Sequence, residues 1–403
     1  MKKGWQTKTL GEILEKTGTV NPLQSPETEF DYIDVSSVSN QTFRIEETQR
    51  LKGKDAPSRA RRLVRANDIL FATVRPTLQR IAIVPDELDN QVCSTGYFVL
   101  RPKPGIDRRL VFYSLFREDF MGQMACLQKG ASYPAVTDGE VRAQQLAFPH
   151  ALPEQQRIVG ILDEAFDGIA TAKANAEKNL QNARALFESH LQSVFNQRGP
   201  EWEETTLERI LIEQPRNGWS PPAANHSDSG VPVLTLSSVT GFKFRAGKIK
   251  FTSTKTDSRR HYWVKNGDFL ITRSNTPELV GHVAIAAGIT EPTIYPDLIM
   301  RMNPAPDRML TKFLYYQMRA PSLRREITGR AQGANPTMKK ISKSAVQSLP
   351  IHVPPLPLQK KITSQLAALA AETQRLEAVY QQKLAALGEL KKSLLHEAFT
   401  GQL

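Results

Sequence analysis

The sequence predicts an internally duplicated α+β fold, in which two β-rich domains alternate with two long helices. Three observations predict it: a repeat that spans nearly the whole chain, strand-like segments in each half, and an apolar heptad stripe at the end of each half. We assign residues 1–150 and 200–355 to the domains, and residues 151–199 and 356–403 to the helices. The helices are expected to form an antiparallel coiled coil with approximate two-fold symmetry.

The repeat is collinear over its length. The segment Trp5–Leu14 recurs as Trp202–Leu211, and the Leu-Pro-x-Gln motif at Leu152–Gln155 recurs at Leu356–Gln359. The offsets between matched residues stay between 197 and 204 along the chain. Chance matches would not stay collinear with so small a drift, so the two halves are predicted to share one architecture.

Each half is predicted to contain the same strands, because apolar and β-branched residues recur between turn residues. The predicted strands are Tyr32–Val38, Asp68–Arg75, Arg80–Val84 and Gly96–Arg101, then Val231–Val239, Asp268–Arg273, His282–Ala286 and Asp297–Met302. Two Gly-containing loops, Lys129–Tyr133 and Gln332–Thr337, occupy matching places late in each half. Prolines then mark the change of structure that precedes each long helix.

Two helix starts can be predicted from capping residues. Thr9 and Glu12 have the spacing of a capping box, in which each side chain accepts a hydrogen bond from the other residue's backbone. Asp107 is expected to cap a second helix, and Asp307 its counterpart, because a short acidic side chain favours the N-cap position.

Each half ends in a long apolar stripe with a mean spacing of about 3.5 residues, which is typical of a coiled-coil seam. Its members are Ile158, Leu162, Ala165, Ile169, Ala172, Ala176, Leu180, Ala183, Phe187, Leu191 and Val194, then Ile362, Leu366, Leu369, Thr373, Leu376, Tyr380, Leu384, Leu387, Leu390 or Lys391, Leu394 and Ala398. A helix of roughly 40 residues is about 60 Å long and must bury such a stripe. It can pack on its own domain, but two copies in one chain favour pairing.

The chain is strongly basic, with a net charge of +12. The segments 154–198 and 357–403 together carry only about one of these charges, so the excess lies in the two domains. This distribution favours a nucleic-acid partner, although a generally basic, solvated surface is the alternative. No apolar run approaches the 18 or so residues of a membrane span. The two cysteines, Cys93 and Cys126, suit neither a disulfide framework nor a zinc ribbon, and they predict a reducing cytoplasm.

The order of β-rich domain, proline-containing turn and long helix, occurring twice, resembles the specificity subunits of type I restriction-modification systems. The resemblance covers the whole chain. The residues that carry it are Trp5, Leu10, Trp202, Leu207, Gly267–Leu270, Lys129–Ser132, Gln332–Asn335, Leu152–Ile158, Pro354–Gln359 and Leu394–Leu403. Leu358 stands where the first copy has Glu154, and the second proline stretch is longer, so the two turns are predicted to differ in detail.

The resemblance implies a division of labour. The two domains would be target recognition domains, each reading one half of an asymmetric, bipartite site in double-stranded DNA. The helices would set the spacing and dock two methyltransferase (modification) subunits, and restriction (motor-nuclease) subunits would join the assembly. S-adenosylmethionine, ATP and Mg would be bound only by these partners. The expected docking residues are Leu162, Ile169, Leu180, Leu366, Leu376 and Leu387.

The sequence also argues against a catalytic centre in the chain itself. It has no Walker phosphate-binding motif, and its seven histidines show no metal-ligand spacing. Asn303–Pro306 comes nearest to the Asn-Pro-Pro-aromatic motif of amino-methyltransferases, but it lacks the aromatic residue. The Glu-x-Lys at Glu389–Lys391 lies in a helical segment rather than on a nuclease hairpin. We therefore expect a non-enzyme without a metal.

Parallel clusters of basic residues in the two halves are the candidates for DNA contact, because cations near phosphates supply affinity and side chains at base edges supply sequence reading. Arg75 and Arg273, beside the repeated Asp-x-Leu strand, are favoured for base reading, since arginine can donate two hydrogen bonds to guanine. The Gly-containing loops either contact bases or merely turn the chain. The full candidate set is Arg59, Arg61, Arg62, Arg75, Arg80, Lys129, Ser132, Tyr133, Lys243, Arg245, Arg259, Arg260, Arg273, Asn275, Gln332, Asn335, Lys339 and Lys340.

The halves differ most in these regions, so the predicted target is not palindromic. The alternative function is a coiled-coil adaptor whose basic domains bind RNA or acidic proteins. Aromatic residues make up only 7% of the chain, and no stacking platform of the RRM type is visible. A stand-alone methyltransferase or nuclease is disfavoured by the missing motifs.

Overall fold

The computed structural model describes residues 4–335 and 337–403, so Pro336 in the second Gly-containing loop lies outside the described residues. The chain divides into two compact units. The first extends to Glu177 and includes Gln382–Leu403, and the second is Lys178–Gln381. These divisions fall inside the long helices, and the domain bounds at residues 150, 199 and 355 stay predictions. Within the described residues, no helix has the length and apolar character to cross a membrane.

The first unit contains nine strands and four short helices before its long helix. The strands are β1 (Trp5–Thr9), β2 (Glu29–Ile33), β3 (Gln49–Lys52), β4 (Ala60–Leu63), β5 (Ile69–Ala72), β6 (Ile81–Ile83), β7 (Val92–Ser94), β8 (Tyr97–Leu100) and β9 (Gln145–Pro149). The helices are α1 (Leu10–Ile13), α2 (Arg108–Ser114), α3 (Glu118–Leu127), α4 (Asp138–Arg142) and the long α5 (Leu152–Asn196). These counts of strands and helices apply to the described residues.

Three sheets organise the first domain, with strand orders β3-β2-β7-β4, β6-β5-β8 and β1-β9. Neighbouring strands are antiparallel except for β2 and β7, which are parallel. All residues of β5 and β8 are buried, which explains why these strands read as unbroken apolar runs rather than as alternating patterns. Of the strands predicted in this half, Asp68–Arg75, Arg80–Val84 and Gly96–Arg101 are confirmed in shortened form as β5, β6 and β8. The prediction Tyr32–Val38 was wrong beyond Ile33, because Val35–Ser37 form a 3-10 helix, as Leu236–Ser238 do within the predicted Val231–Val239.

The second unit repeats this order of elements. Its strands are β10 (Glu203–Thr206), β11 (Arg216–Asn217), β12 (His226–Ser227), β13 (Val231–Leu234), β14 (Ile249–Thr252), β15 (Phe269–Thr272), β16 (Ser274–Asn275), β17 (Val283–Ile285), β18 (Ile299–Arg301), β19 (Lys339–Lys340) and β20 (Pro350–Val353). Its helices are α6 (Thr311–Arg319), α7 (Pro321–Arg330), α8 (Lys343–Gln347) and the long α9 (Leu356–Thr400). The sheets have strand orders β11-β18-β15-β17, β12-β14-β13, β16-β19 and β10-β20.

The long helices run antiparallel within each unit. In the first unit, Arg157 near the start of α5 donates a hydrogen bond to the backbone oxygen of Leu403 after the end of α9. In the second unit, Arg184 of α5 lies 3.2 Å from the carboxylate of Glu377 of α9. The predicted seam residues are buried or half-buried, except that Leu390 is exposed and its neighbour Lys391 turns inward. The coiled-coil prediction is therefore confirmed.

Each domain also packs on both long helices, so helix pairing and packing on a domain occur together. One apolar cluster in each unit joins the final strand of the domain, the start of the following helix and the end of the other helix. Members in the first unit are Phe148, Ile158, Leu162, Leu395 and Phe399, and those in the second are Ile351, Ile362, Leu366, Leu191 and Phe195. Burying a large apolar side chain contributes about 1.5–3 kcal/mol, so these clusters hold each domain firmly on its helices.

The glutamine of the Leu-Pro-x-Gln motif fixes the helix start to the domain. Gln155 is fully buried; its Oε1 accepts from the backbone N–H of Asp107, and its Nε2 donates to the backbone oxygen of Pro149. Gln359 is also fully buried; its Oε1 accepts from the backbone N–H of Leu310, and its Nε2 donates to the backbone oxygen of Pro354. Buried backbone groups need such partners, and this explains why the motif occurs twice.

This contact also explains one wrong prediction. Asp107 caps α2 as expected, and Thr9 and Glu12 form the expected capping box. Asp307, however, does not cap α6, which begins three residues after Arg308 with Leu310 as its N-cap. The N–H of Leu310 takes the place of the N–H of Asp107 in the contact with the motif's glutamine, so the N-cap position falls on Leu310 rather than on Asp307.

The repeated Asp-x-Leu motif is a buried ion pair. Asp68 lies 2.6 Å from the guanidinium of Arg101, and its carboxylate accepts from the backbone N–H of Arg65. Asp268 is paired with Arg301 at 3.4 Å and accepts from the backbone N–H of Lys265. Removing either partner would leave an uncompensated buried charge, so the motif stabilises each sheet at the start of β5 or β15.

Candidate nucleic-acid interface

The structure brings two loops of each domain together, and we call them a loop pair. The first loop pair consists of residues 73–80, after β5, and residues 129–135. The backbone N–H of Arg75 donates to the oxygen of Pro134 at 2.7 Å, and that of Val136 donates to the oxygen of Thr73 at 3.0 Å. Both predicted base-reading segments of the first half therefore form one surface.

The second loop pair consists of residues 273–276, 332–335 and 337–340. Strand β16 pairs with β19, so Asn275 lies opposite Lys339. The backbone N–H of Ile341 donates to the oxygen of Arg273 at 2.9 Å, as Val136 does to Thr73 in the first half. The same two segments are thus joined by the same backbone hydrogen bonds.

Arg75 is held in place by its loop pair. Its backbone is in the left-handed region, with φ of 50°. Its guanidinium lies 5.0 Å from the ring centre of Tyr133 and donates to the backbone oxygen of Ser132 at 3.1 Å. Tyr133 itself is 71% exposed. An exposed arginine with a preset orientation and spare N–H donors suits recognition of a base edge or a phosphate.

The register shows which residues of the two loop pairs are equivalent. Asp68 and Asp268 occupy the same place in the fold, and counting along the chain from them makes Arg273 the counterpart of Thr73. The counterpart of Arg75 is Asn275, whose Oδ1 accepts from the backbone N–H of Thr276 at 2.9 Å. Arg75 and Arg273, both predicted to read bases, therefore occupy different positions, and their base contacts stay a prediction.

Several candidate arginines are engaged in holding the domains together. Arg62 forms an ion pair with Asp138 at 2.7 Å and is mostly buried. Arg80 donates to the backbone oxygens of Val35, Ser36 and Val38, which closes the turn after β2. These two residues are reassigned from DNA contact to bracing. Arg61 and Arg245 also donate to backbone oxygens, those of Ala60 and Thr240, respectively.

Other candidate cations are exposed and only weakly held. Arg259 is 89% exposed and shares Asp257 with Arg260, at 3.3 and 3.7 Å. Arg59 lies 3.6 Å from Asp34, and Lys129 lies 3.6 Å from Glu140. Lys243, Gln332, Asn335 and Lys340 are exposed, whereas Arg273 and Lys339 are half-buried. Exposed ion pairs contribute little to stability, so these cations are available to a polyanion.

Two apolar side chains on the same surfaces were not predicted. Leu78 lies in the first loop pair and Met338 in the second, and both are exposed. In the sequence, the position of Leu78 and Met338 in these loops was the feature that could have identified them. Apolar contact with the thymine methyl group is one way in which such side chains can distinguish bases.

A buried histidine supports the turn beside the second loop pair. His282 stacks on Phe242 with ring centres 4.1 Å apart, and its Nδ1 accepts from the backbone N–H of Gly241 at 2.9 Å. Burial, helped by the nearby Arg324 and Arg319 charges, lowers the pKa of His282 to about 4. The ring is therefore neutral at pH 7, as its acceptor role requires.

The predicted docking residues on the long helices divide into two groups. Leu162 and Leu366 are fully buried in the apolar clusters of their own units, so they are reassigned to internal packing. Ile169, Leu180, Leu376 and Leu387 are half-buried. The exposed large apolar side chains of these helices are Leu152 at the start of α5, and Leu186, Val379 and Leu390 farther along. Leu186 and Leu390 are 204 residues apart and hold equivalent positions.

Within residues 4–335 and 337–403, no group of three or more His, Cys, Asp or Glu side chains is arranged to hold a metal ion. Cys93 is buried and Cys126 is exposed, and neither forms a disulfide. Burial raises the pKa of the Cys93 thiol to about 12. The interface is thus built from cations, amides, hydroxyls and a few exposed apolar groups.

Comparison with known proteins assigns the fold to one family. The model of the type I restriction modification DNA specificity domain matches residues 2–181 and again residues 200–385. The EcoKI specificity subunit of Escherichia coli K12 is 25% identical over 326 residues, which cover 77% of this chain and 69% of that subunit. The HindI specificity subunit of Haemophilus influenzae is 28% identical over 161 residues, covering 39% and 34%.

Solved structures agree with this result. A chain from a study of complex assembly and conformational transition of the type I R-M system matches with a TM-score of 0.86 at 25% identity, covering 100% of this chain and 99% of that one. The HsdS subunit from Thermoanaerobacter tengcongensis matches with a TM-score of 0.66 at 26% identity, covering 100% and 98%. Because the two family matches take in most of the chain, the protein belongs to the family of type I restriction-modification specificity subunits and carries two copies of the DNA specificity domain.

Proposed function

We propose that each domain reads one half of an asymmetric, bipartite site in duplex DNA through its loop pair. The observation that carries the proposal is that both domains join the same two segments by the same backbone hydrogen bonds, while the side chains on them differ. Arg75 and Ser132 in the first loop pair correspond to Asn275 and Asn335 in the second. A constant frame with different exposed side chains suits the reading of two different half-sites.

The residue types support a division between base and phosphate contacts. Arginine can donate two hydrogen bonds to O6 and N7 of guanine, and asparagine can pair with N6 and N7 of adenine. Arg75 and Asn275 would therefore be the base readers. The exposed Arg259, Arg260 and Lys340 would neutralise phosphates and release counterions, which makes binding depend on salt.

The test is a binding assay with purified chain and methyltransferase subunits, in which duplex DNA, single-stranded DNA and RNA compete. We expect duplex DNA to bind most tightly, with log K falling against log salt at a slope of about −5 to −7 if six to eight cations meet phosphates. A slope shallower than about −2 would count against the loop pairs as a DNA face. Preference for RNA would instead favour the adaptor function.

We also propose that the long helices dock two methyltransferase subunits and that restriction subunits join this assembly. Exposed apolar residues at equivalent helix positions, Leu186 and Leu390, support two equivalent docking sites. Changing both to Glu should prevent copurification of the methyltransferase subunit. The same change at the exposed Leu23 in the first domain should not.

In this proposal the chain recognises DNA and performs no chemistry. S-adenosylmethionine, ATP and Mg would be bound by the partner subunits. The unpaired thiols of Cys93 and Cys126 support a cytoplasmic location. Any methylation or hydrolysis by the purified chain alone would contradict the proposal.

A further inference from the structure

The ends of the two long helices pack on the domains at equivalent positions. Leu191 and Phe195 near the end of α5 are buried in the second unit, and Leu395 and Phe399 of α9 are buried in the first. The two pairs are 204 residues apart, which is the offset of the Leu-Pro-x-Gln motif. One turn earlier the helices differ, because α5 carries Phe187-Glu188 and α9 carries Lys391-Lys392.

The contact of Lys391 and Lys392 of α9 with four side chains is called the first seat here. Those four side chains are Phe43, Phe116, Glu118 and Phe166. The Lys391 ammonium is 4.8, 5.5 and 5.1 Å from the ring centres of Phe43, Phe116 and Phe166, respectively. The Lys392 ammonium is 3.2 Å from Glu118 of the domain and 3.0 Å from Glu389 of its own helix. In the first seat, α9 supplies the cations, the domain supplies two rings and a carboxylate, and α5 supplies the third ring, that of Phe166.

The second seat has the opposite arrangement and consists of Phe187 and Glu188 of α5 with Phe242, Tyr315 and Arg319. The Arg319 guanidinium is 4.7 Å from the Phe187 ring centre and 5.2 Å from that of Phe242. It is also 3.1 Å from the Glu188 carboxylate. Phe43 and Phe242 both have left-handed backbones, with φ of 55° and 57°. The frame is therefore the same, but here the domain supplies the cation.

The difference arises at one corner of each domain. At the junction of α2 and α3, where α3 begins, the sequence is Arg117-Glu118-Asp119, and at the junction of α6 and α7 it is Arg319-Ala320-Pro321. Arg117 is neutralised within its own domain by an ion pair with Asp119, so Glu118 remains to meet Lys392. Arg319 has no acidic neighbour in its corner and is paired with Glu188 of the helix. The two corners carry net charges of opposite sign.

We propose that these two seats are charge-reversed docking surfaces, each of which accepts its own recognition domain and disfavours the other. If the domains traded places, Lys391 and Lys392 would face Arg319, and Glu188 would face Glu118. Like charges brought together in this way discriminate against the wrong pairing more strongly than the exposed correct pairs stabilise the right one. The seats would thus make the stability of the chain depend on the order of its two domains. This inference concerns docking and holds whether or not the loop pairs read DNA.

The first test uses charge reversals in the full chain and amide hydrogen exchange by mass spectrometry. Glu188→Lys should speed exchange at least tenfold in α6 and α7, and Lys392→Glu should do so in α2 and α3. Each change should leave the other domain unaffected. Adding Arg319→Glu to the Glu188→Lys variant should restore much of the lost protection from hydrogen exchange. Adding Glu118→Lys to the Lys392→Glu variant should do the same. Glu372→Lys, an exposed charge reversal on α9 whose partner Arg375 lies on the same helix, is the matched control.

The second test exchanges residues 5–149 with residues 202–353 and compares two such chains. One keeps the natural helix residues, and the other carries Phe187→Lys, Glu188→Lys, Lys391→Phe and Lys392→Glu. The two chains differ only at the seats, and we expect the second to have the higher Tm. Equal Tm values, or a higher Tm for the first chain, would overturn the proposal. If neither chain folds, the hydrogen-exchange measurements of the first test decide. Unchanged amide hydrogen exchange in the Glu188→Lys and Lys392→Glu variants would refute the proposal.

Discussion

Arg75 and Asn275 occupy one position in the two halves, and their chemistry differs. The arginine is fixed by Tyr133 and the backbone oxygen of Ser132, so it loses little freedom when it binds a base edge. Asn275 is half-buried beside strand β19. If both read DNA, the two half-sites should carry different base pairs at the equivalent step.

We predict that Arg75→Ala will relax discrimination at one guanine by about 1–3 kcal/mol, because a two-donor contact to O6 and N7 is lost. The measurement is binding to duplexes in which each position of the methylated motif is substituted in turn. Arg50→Ala, which removes an exposed arginine from β3, is the matched control and should leave discrimination unchanged. Equal weakening toward every duplex would show that Arg75 contacts a phosphate instead.

The second prediction concerns acid stability. The pKa of His282 is lowered by burial to about 4, below the value of about 6.5 in the unfolded chain. As the pH falls below about 6.5, the unfolded chain takes up the proton first, so stability declines until about pH 4. The loss should approach about 3 kcal/mol, at about 1.4 kcal/mol for each pH unit.

His282→Gln should remove this part of the pH dependence when the free energy of unfolding is measured by urea titration between pH 7 and 4. The exposed His226, changed to Gln in the same way, should leave it intact. Burial lowers the pKa of His352 too, so some dependence of the same sign will persist. An identical pH profile for the parent chain and His282→Gln would contradict the prediction.

Among the elements, the start of each long helix depends on a single buried amide. Gln155 satisfies the backbone N–H of Asp107 and the oxygens of Gly105 and Pro149. We predict that Gln155→Leu destabilises the first unit by about 2–4 kcal/mol, because an apolar side chain leaves these buried groups without partners. Thermal unfolding measures the effect, and the exposed neighbour Gln156→Leu should be nearly neutral. Equal Tm values for the two variants would refute this role.

Elements that follow from local pattern were predictable from sequence. The heptad stripe located both long helices, and apolar runs located β5, β8 and β15, since periodicity and burial are properties of neighbouring residues. The equivalence of Arg75 and Asn275 follows from counting seven residues from the matched Asp68 and Asp268. The backbone hydrogen bonds that bring the two loops of each loop pair together were not predictable, because they join distant segments. The bracing roles of Arg62 and Arg80 were hidden for the same reason, since their partners lie 76 residues away at Asp138 and 42 residues away at Val38.

For the whole molecule, both long helices contribute residues to both units. A change of helix length therefore alters the connection between the two recognition domains. We predict that seven residues inserted after Ala176, and seven more after the equivalent Tyr380, keep the heptad register and add about 10 Å. The unspecified spacer should lengthen by about three base pairs at roughly 3.4 Å each, with both half-sites unchanged.

The measurement is sequencing of the methylated motif in cells that carry each variant. Insertions of two residues at the same points break the apolar register and should prevent assembly with the methyltransferase. A spacer that stays the same in the seven-residue variant, with the complex intact, would show that the helices do not set the distance.

The unequal exposure of the two cysteines gives the natural chain one site for a fluorescent label. Thiols react with maleimides as thiolates, so the raised pKa and burial of Cys93 protect it at neutral pH. Cys126 is exposed on α3, the helix that begins with Glu118 of the first seat. A dye on Cys126, with Cys126→Ser as the unlabelled reference, can therefore follow opening of the first seat and arrival of DNA in real time, without any engineered residue.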